Sequence, residues 1–516
     1  MNGITPITDW SHLFTSYSAP AVMGLDDATQ DLLDQLFQVW SEKRPRNLLR
    51  SAYADGKHRL EHIGFSIPPS MRELETVVGW PAKAVNAHAE RCIFDGFVSP
   101  NNGDDPFELD SLLSRNSFGV ELPQVIRSSM THSVAFMSVT PGDVQAGEPD
   151  VLLMPHSAQW SAGLWDFRRR ALKAAMAVND VDDYGFPTLV TLYTPEQVIE
   201  CRRTTNWFVQ DVRRHKLGRV PVEVLPFRPE IDRPFGRSVI TRAVMSITDD
   251  AVRTALRTEA SAEFYSAPYL VLLGASPDSF IGDDGKPIPA WEFIMGHINA
   301  VEKDEDGDVP TLQQLSQQNV QPHIQQMQQL ASRFSGETNV PVSSLGVISD
   351  NPPSAEAMHQ AERDLIIDCS AANRVYGAAL SRLAQDAVVI RDGADALTDE
   401  LRRISVRWRN PALPSVLDSG DAIIKIISAM PWIADTTVAL EEMGFTDEQI
   451  TRLLNDKRKS ETRSALDSLI SGGNTDDGQP TTRPTAIQSE PGGEIGASRS
   501  GQTMADIAAA QPRVAA

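Results

Sequence analysis

From Gly236 the chain runs to Pro268 without a proline or a further glycine, and this uninterrupted stretch constrains the rest of the sequence most. Within it Ile240, Val244, Ile247, Ala251, Ala255 and Phe264 recur mostly at steps of three and four, the spacing that lines apolar side chains along one face of an α-helix. The pattern predicts an amphipathic helix from Arg237 to Phe264, roughly 42 Å long at about 1.5 Å per residue. Arg237, Arg242, Arg253 and Arg257 are interleaved with Asp249, Asp250, Glu259 and Glu263, and a pair such as Asp249 and Arg253 supports a solvated helix modestly. Periodicity alone is equally compatible with an ordinary scaffold helix in a large protein.

The chain is 516 residues long, too long for one ordinary domain, so several packed units or one elongated subunit with distinct regions are expected. Cys92, Cys201 and Cys369 are the three cysteines, far apart and without CxxC spacing; reduced thiols fit better than a disulfide framework or a zinc site. The opening MNGITPITDWSHLF has no basic segment followed by an apolar run, and nowhere do 18 apolar residues follow one another. The expectation is a protein that is neither exported by a signal peptide nor membrane-spanning. A net charge of -22 argues against tight nucleic-acid binding through phosphate neutralisation, though not against DNA as a passing ligand.

Helical patterns precede and follow the central stretch. Asp26 to Trp40 and Asn47 to Asp55 read as two helices separated near Pro45, and residues 71–97 as another, with Pro81 in its first turn and Gly96 at its end. After about residue 118 short apolar or alternating runs at Ser133–Val139, Val151–Met154, Thr188–Tyr193, Trp207–Val212 and Val220–Leu225 indicate a β-rich unit. The segment NDVDDYG at 179–185 has some of the acidity of a calcium loop, but Tyr184 and Thr191 occupy ligand positions, which favours a β-turn.

Beyond the central stretch, Tyr269–Leu273 is a strand candidate, followed by turn-rich sequence with small strands. GDDGKP at 282–287 lacks P-loop spacing, and DEDGD at 304–308 reads as a solvated turn. Leu312 to Phe334 is helical, with Pro322 at a kink or in the first turn. Nine glutamines and no Lys or Arg lie between Gln313 and Gln329. They make either a plain solvated face or a wall that does not hold phosphate. A loop from Ser335 to Pro353 leads, with Ser354 as N-cap, into the longest helical pattern, Glu356 to Ile390. Asp418–Met430, Ile433–Met443 and Thr446–Lys459 suggest a small separate bundle, with capping-box spacing at Thr446 and Gln449. From Ser471 to Ala516 there is no aromatic residue, and the composition is that of a disordered tail.

No GxxxxGK[ST], HExxH, GxSxG or well-placed GxGxxG motif occurs. No catalytic, cofactor or metal residues are singled out, and His323 and His359 read as surface or packing residues. The expectation is a protein that is not an enzyme.

Taken as a set and in order, GWPAKAVNAHAERCIFDGF at 79–97, LGRVPVEVLPFRPEIDRPFGRSVI at 217–240, AEFYSAPYLVLLGA at 262–275, NVPVSSLGVISDNPPSAEAMHQAERDLI at 339–366 and EEMGFTDEQITRLLNDKR at 441–458 resemble the portal proteins of tailed bacteriophages, especially long-tailed phages of actinobacteria. The resemblance implies an elongated α+β subunit with an α/β wing, a two-helix stem, a small β-containing clip and a helical crown. By it, 1–236 is the N-terminal part of the wing, 237–266 the first stem helix, 267–320 the clip and 321–335 the second stem helix. Residues 336–354 form the tunnel-loop region, 355–410 the long helix and return to the wing, 411–470 the crown and 471–516 the tail.

The resemblance further implies a dodecameric ring at one capsid vertex of the virion, made in the host cytoplasm, through which double-stranded DNA passes non-specifically. Its partners would be the terminase large subunit, a head-tail adaptor, and the major capsid and scaffolding proteins, with no membrane and no cofactor. The tunnel loop would comprise Gly346, Val347, Ile348, Ser349, Asp350, Asn351, Pro352, Pro353 and Ser354, and the channel wall Gln321, Gln325, Gln328 and Gln329 of the second stem helix. A nucleic-acid-processing enzyme and a non-viral ring-forming scaffold protein remain the alternatives.

Overall fold

The computed structural model describes residues 17–58, 76–100, 105–265, 270–273, 311–314, 320–347, 355–394, 397–412, 416–442, 445 and 447–471. The chain divides into two compact units, Met1–Leu413 and Pro414–Ala516.

A short strand β1 (Val22–Met23) precedes helix α1 (Asp27–Ala54). Asp26 caps α1, its carboxylate accepting from the Thr29 N–H at 3.3 Å. The two helices expected here are one, because Pro45 does not interrupt it. An interior proline costs about 3 kcal/mol, but both halves of α1 are anchored. Leu33, Leu36, Phe37 and Trp40 are buried in one core and Tyr53 in another, each contributing about 1.5–3 kcal/mol. Trp40 and Asn47 also donate to the carbonyls of Gln159 and Ala158, at 2.7 and 2.8 Å, on either side of the proline.

Helix α2 (Trp80–Ala89) carries Pro81 in its first turn, as expected, but ends well before Gly96. Ile93 is outside it, and Gly96 lies inside strand β2 (Phe94–Val98). There Phe94 stacks edge-on with Phe97, Phe118 and Trp408, so ring packing against a distant strand overrides the local helical pattern. Helices α3 (Leu109–Arg115) and α4 (Phe118–His132) follow. The latter was not legible because Gly119 and Pro123 interrupt its beginning, yet Leu122, Val125, Ile126 and Met130 are all buried.

The β-rich unit is as expected and larger. Strands β3 (Val134–Pro141), β4 (Val151–Ser157), β5 (Ser161–Asp166), β6 (Ala171–Val181), β7 (Pro187–Tyr193), β8 (Gln197–Arg203), β9 (Trp207–Arg214) and β10 (Val222–Pro226) form two sheets. One is the antiparallel meander β5 to β9, edged by β1 running parallel to β9; the other has the order β10-β3-β4. Side chains alternate between the faces of the meander. Met176, Leu192, Ile199 and Cys201 pack on α1, while Ala175, Tyr193 and Val198 face the smaller sheet. Strand β3 is buried on both sides, with Val134 and Phe136 against the meander and Ala135, Met137 and Val139 against the helices. That double burial is why it reads as a continuous apolar run. The turn at 179–185 is a β-turn: the Asp182 carboxylate accepts from the Tyr184 and Phe186 N–H groups and from Arg203.

The central helix α5 (Arg242–Tyr265) starts five residues later than its sequence pattern indicates. Residues 237–240 are strapped to the core instead. The Arg237 N–H donates to Phe227 O at 2.7 Å, the Val239 N–H to Met130 O at 2.9 Å, and Ser238 Oγ to Met130 and Thr131 carbonyls. Gly236 permits this crossing; at φ +69° an added Cβ would lie 2.1 Å from Phe227 O. Thr241 Oγ1 then caps the helix, accepting from the Val244 N–H at 3.2 Å. Val244, Ile247 and Ala251 are buried as expected, but further on the buried face passes through Thr254, Leu256 and Ala260 rather than Ala255. Arg253 bridges to Asp250 at 2.9 Å, and Asp249 accepts from the Tyr53 hydroxyl.

After α5, strand β11 (Leu270–Leu273) pairs antiparallel with β12 (Thr311–Gln314). Residues 312–314, expected to begin a helix, are thus extended, because their backbone groups pair with β11. Helix α6 (Gln321–Thr338) carries Pro322 in its first turn and continues through Ser335 to Thr338, where a loop was expected. Thr338 is buried and its hydroxyl bonds back to Phe334 O, so burial carries the helix another turn. Helix α7 (Ala355–Asp392) is the longest in the described chain, and β13 (Ser405–Trp408) returns to pair antiparallel with β2. The second unit contains α8 (Val416–Ala429), α9 (Thr437–Glu442) and α10 (Asp447–Ser471), with Ile423, Ala439 and Ile450 buried. The expected turn at 282–287, the acidic turn at 304–308, Ser354, Thr446 and the tail from 472 lie outside the described residues.

Candidate functional site

Helices α5 and α6 pack on each other, with Val244, Ile247 and Ala251 in one core with Leu330, Ala331 and Phe334. This leaves the other face of α6 to solvent. Gln321, Gln325, Gln328 and Gln329 are all exposed there, and 325, 328 and 329 are neighbours at helical spacing. Ile324 lies among them, 46% exposed. From 320 to 332 the helix offers no cation, and Arg333 is the first.

Beyond α6 the backbone is pinned. Asn339 ends the helix in the left-handed region, φ 59°, and donates from Nδ2 to the Asp368 carboxylate on α7 at 2.6 Å. The same carboxylate receives Arg228 at 2.5 Å and faces His88 at 3.8 Å. Burial pushes the Asp368 carboxyl up, but His88, Asn339 and Arg228 together outweigh it and hold it down at about 2. The Trp80 indole N–H donates to Leu345 O at 3.2 Å. Of the nine loop residues singled out from the sequence, Gly346 (φ 77°) and Val347 are described, and Val347 packs partly buried against the core. Ile348, Ser349, Asp350, Asn351, Pro352, Pro353 and Ser354 lie outside the described residues.

An ionic network with buried carboxylates and part-exposed arginines, which no sequence motif signalled, ties the smaller sheet to α7. Arg219 grips Asp386 through Nε at 2.9 Å and Nη2 at 2.6 Å, and Arg382 bridges to Glu223 at 2.8 Å. Burial pushes the Asp386 carboxyl up to about 6, Arg219 offsetting only part of it, and pushes Glu223 up as well. Among the described residues no group of three or more His, Cys, Asp or Glu is placed to hold a metal ion, and no helix is long and apolar enough to cross a membrane.

The family model described as Phage portal protein, SPP1 Gp6-like, matches residues 33–462. The chain belongs to the phage portal protein family. The portal protein of Mycobacterium phage L5 is 27% identical over 447 residues, covering 84% of this chain and 90% of its own length. That of Mycobacterium phage D29 is 26% identical over 423 residues, covering 80% and 85%. A solved structure described as "Neck of native GTA particle computed with C12 symmetry" aligns with 70% of this chain and 89% of its own at 14% identity, with a TM-score of 0.38. Portal function, as a head-tail connector of a bacteriophage, goes with this membership.

Two histidines, His132 buried and His156 half-buried, give this portal protein a pH dependence. Burial pushes His156 down to about 4; burial and then Arg50 do the same to His132. Each is protonated below an ordinary value near 6.5 in the unfolded chain but not in the folded one. Their stabilisation is therefore present above about pH 6.5 and is lost as pH falls toward 4, by about 2 kcal/mol each between pH 7 and 5. Asp386 acts oppositely: its stabilisation is present below its unfolded value of 3.8 and is lost as pH rises through about 6. Glu223, raised as well, acts in the same sense as Asp386, so the histidines' own contribution is a fall in melting temperature from pH 7 to pH 5. His156→Gln should make that fall shallower, and an unchanged slope in thermal unfolding would exclude His156 as a source.

Proposed function

We propose that this portal protein forms a dodecameric ring at one capsid vertex, serves as the conduit for packaging and ejecting double-stranded DNA, and docks the terminase large subunit and a head-tail adaptor. The observation that carries the reading is the helix pair α5 and α6. Two amphipathic helices share a buried seam through Ile247 and Phe334 and run into the antiparallel strands β11 and β12, which bracket the segment between them.

In this reading 1–236 is wing, 237–266 and 321–335 are the two stem helices, 267–320 is the clip that meets terminase and adaptor, and 336–354 is the tunnel-loop region. Residues 355–410 return to the wing, a course supported by the pairing of β13 with β2. Residues 411–470 are the crown, and 471–516 a dispensable tail. The glutamine face of α6 lines the channel. A wall without Lys or Arg suits a conduit, since each cation on a phosphate adds a salt-dependent well that slows passage. The ring closes through a heterologous contact, one subunit face against a different face of the next. The protein acts by holding and guiding, with no chemical turnover of its own, alongside capsid and scaffolding proteins.

Mass photometry and negative-stain microscopy of the purified chain test the reading. Rings of about a dozen subunits are expected, and a chain that stays monomeric at all concentrations would sink it.

A further inference from the structure

Against the acidic balance of the whole chain, one cavity is strongly cationic. Its volume is about 630 Å³, and its lining includes Lys43, Arg46 and Arg50 of α1 together with Arg233, Arg237 and Arg242, against a single acidic residue, Asp232. Some of these charges are answered locally. Glu230 takes Arg237 at 2.6 Å and Arg233 at 3.9 Å, and Lys43 lies 4.0 Å from Glu42. Arg50 donates only to a neutral group, His132 O, at 3.0 Å. Arg46 and Arg242 have no acidic partner within 4 Å among the described residues.

Arg242 is moreover the first residue of α5, whose first turn carries no acidic side chain. A helix start presents unpaired N–H groups and a partial positive charge, where an arginine is unfavourable and an anion is favoured. Burial chiefly, with the neighbouring Arg46 adding to it, pushes the Arg50 guanidinium down to about 10.

We propose that this cavity is a binding site for phosphate groups, held by Arg46 and Arg50 on one side and by Arg242 and the amino end of α5 on the other. Guanidinium forks match phosphate oxygens in pairs. The volume lies within the range of about 300–1,000 Å³ usual for small-ligand sites, so it admits a polyphosphate chain or one stretch of single strand. A bound anion ties α1 to the root of α5. The inference is independent of which surface lines the channel.

The test uses the full chain and titrates tripolyphosphate at ionic strength held constant with sodium chloride. A saturable rise in melting temperature of several degrees is expected, as for any ligand that binds only the folded state, with one molecule bound per subunit by calorimetry. Arg46→Gln with Arg242→Gln should weaken binding at least tenfold, and should leave the unliganded protein no less stable, since it removes unanswered like charges. Lys425→Gln, in the other compact unit, should change nothing. A labelled twelve-nucleotide single strand separates the sources: binding competed by tripolyphosphate assigns the site to a phosphodiester strand, and no strand binding assigns it to free polyphosphate. No stabilisation beyond that of matched chloride overturns the proposal whatever the variants do. Equal stabilisation of wild type and the Arg46/Arg242 double variant overturns it as well.

Discussion

Replacing Asp386 with alanine is expected to lower the unfolding free energy by about 2–3 kcal/mol, short of the roughly 3–5 kcal/mol for a fully buried pair because Arg219 keeps 28% of its side chain exposed. Asp386 is 1% exposed and accepts hydrogen bonds from Nε and Nη2 of Arg219, whose Nη2 also donates to the Arg382 carbonyl at 3.1 Å. Without the carboxylate, Arg219 stays part-buried beside Arg382, with Glu223 close enough to feel its charge. The fold has no easy relaxation, because the network joins β10 and the residues just before it to the last third of α7, and both belong to well-packed layers. Arg219→Met combined with Asp386→Leu should recover most of the loss, since apolar groups of similar volume often replace a buried pair at little cost. Guanidinium denaturation of the three proteins at pH 7 provides the comparison. A loss below about 1 kcal/mol for Asp386→Ala would mean that water reaches the pair and screens it.

The second large effect is on function. With Asp350 and Asn351 both changed to lysine, DNA packaging is expected to slow at least about tenfold at low salt while rings still assemble. The stretch from Gly346 to Ser354 contains no basic residue and one acid, Asp350. Two lysines per subunit, repeated around a ring, therefore add phosphate contacts where none are encoded. With only two contacts engaged at once, affinity for DNA should fall about twelvefold between about 50 and 200 mM salt, so packaging should recover as salt rises. Packaging rates at the two ionic strengths, with ring integrity checked by microscopy, decide it. Normal rates at both would remove this loop from the DNA path and leave the glutamine face of α6 as the candidate wall.

Local pattern in the sequence determined the elements whose burial is one-sided. The apolar stripe through Val244, Ile247 and Ala251, the strand runs of the β-rich unit, the first-turn prolines Pro81 and Pro322 and the long helix α7 all follow from the period of a helix or a strand meeting a core on one face. The family, too, was legible from motifs spread over the chain, and the match over 33–462 bears that out.

What only the tertiary structure decided lies where distant groups outbid local preference. Pro45 stays inside α1 because cores on both sides anchor the two halves of the helix. Residues 237–240 leave the helical pattern because Phe227 and Met130 offer their carbonyls across the chain. Phe94–Val98 becomes a strand because β13, more than three hundred residues later in sequence, supplies its hydrogen bonds. The ionic network of Arg219, Glu223, Arg382 and Asp386 and the cationic cavity between α1 and α5 have the same origin. Charge in a sequence has no address until folding sets which charges are close and which are cut off from water, and Coulomb energies depend on both.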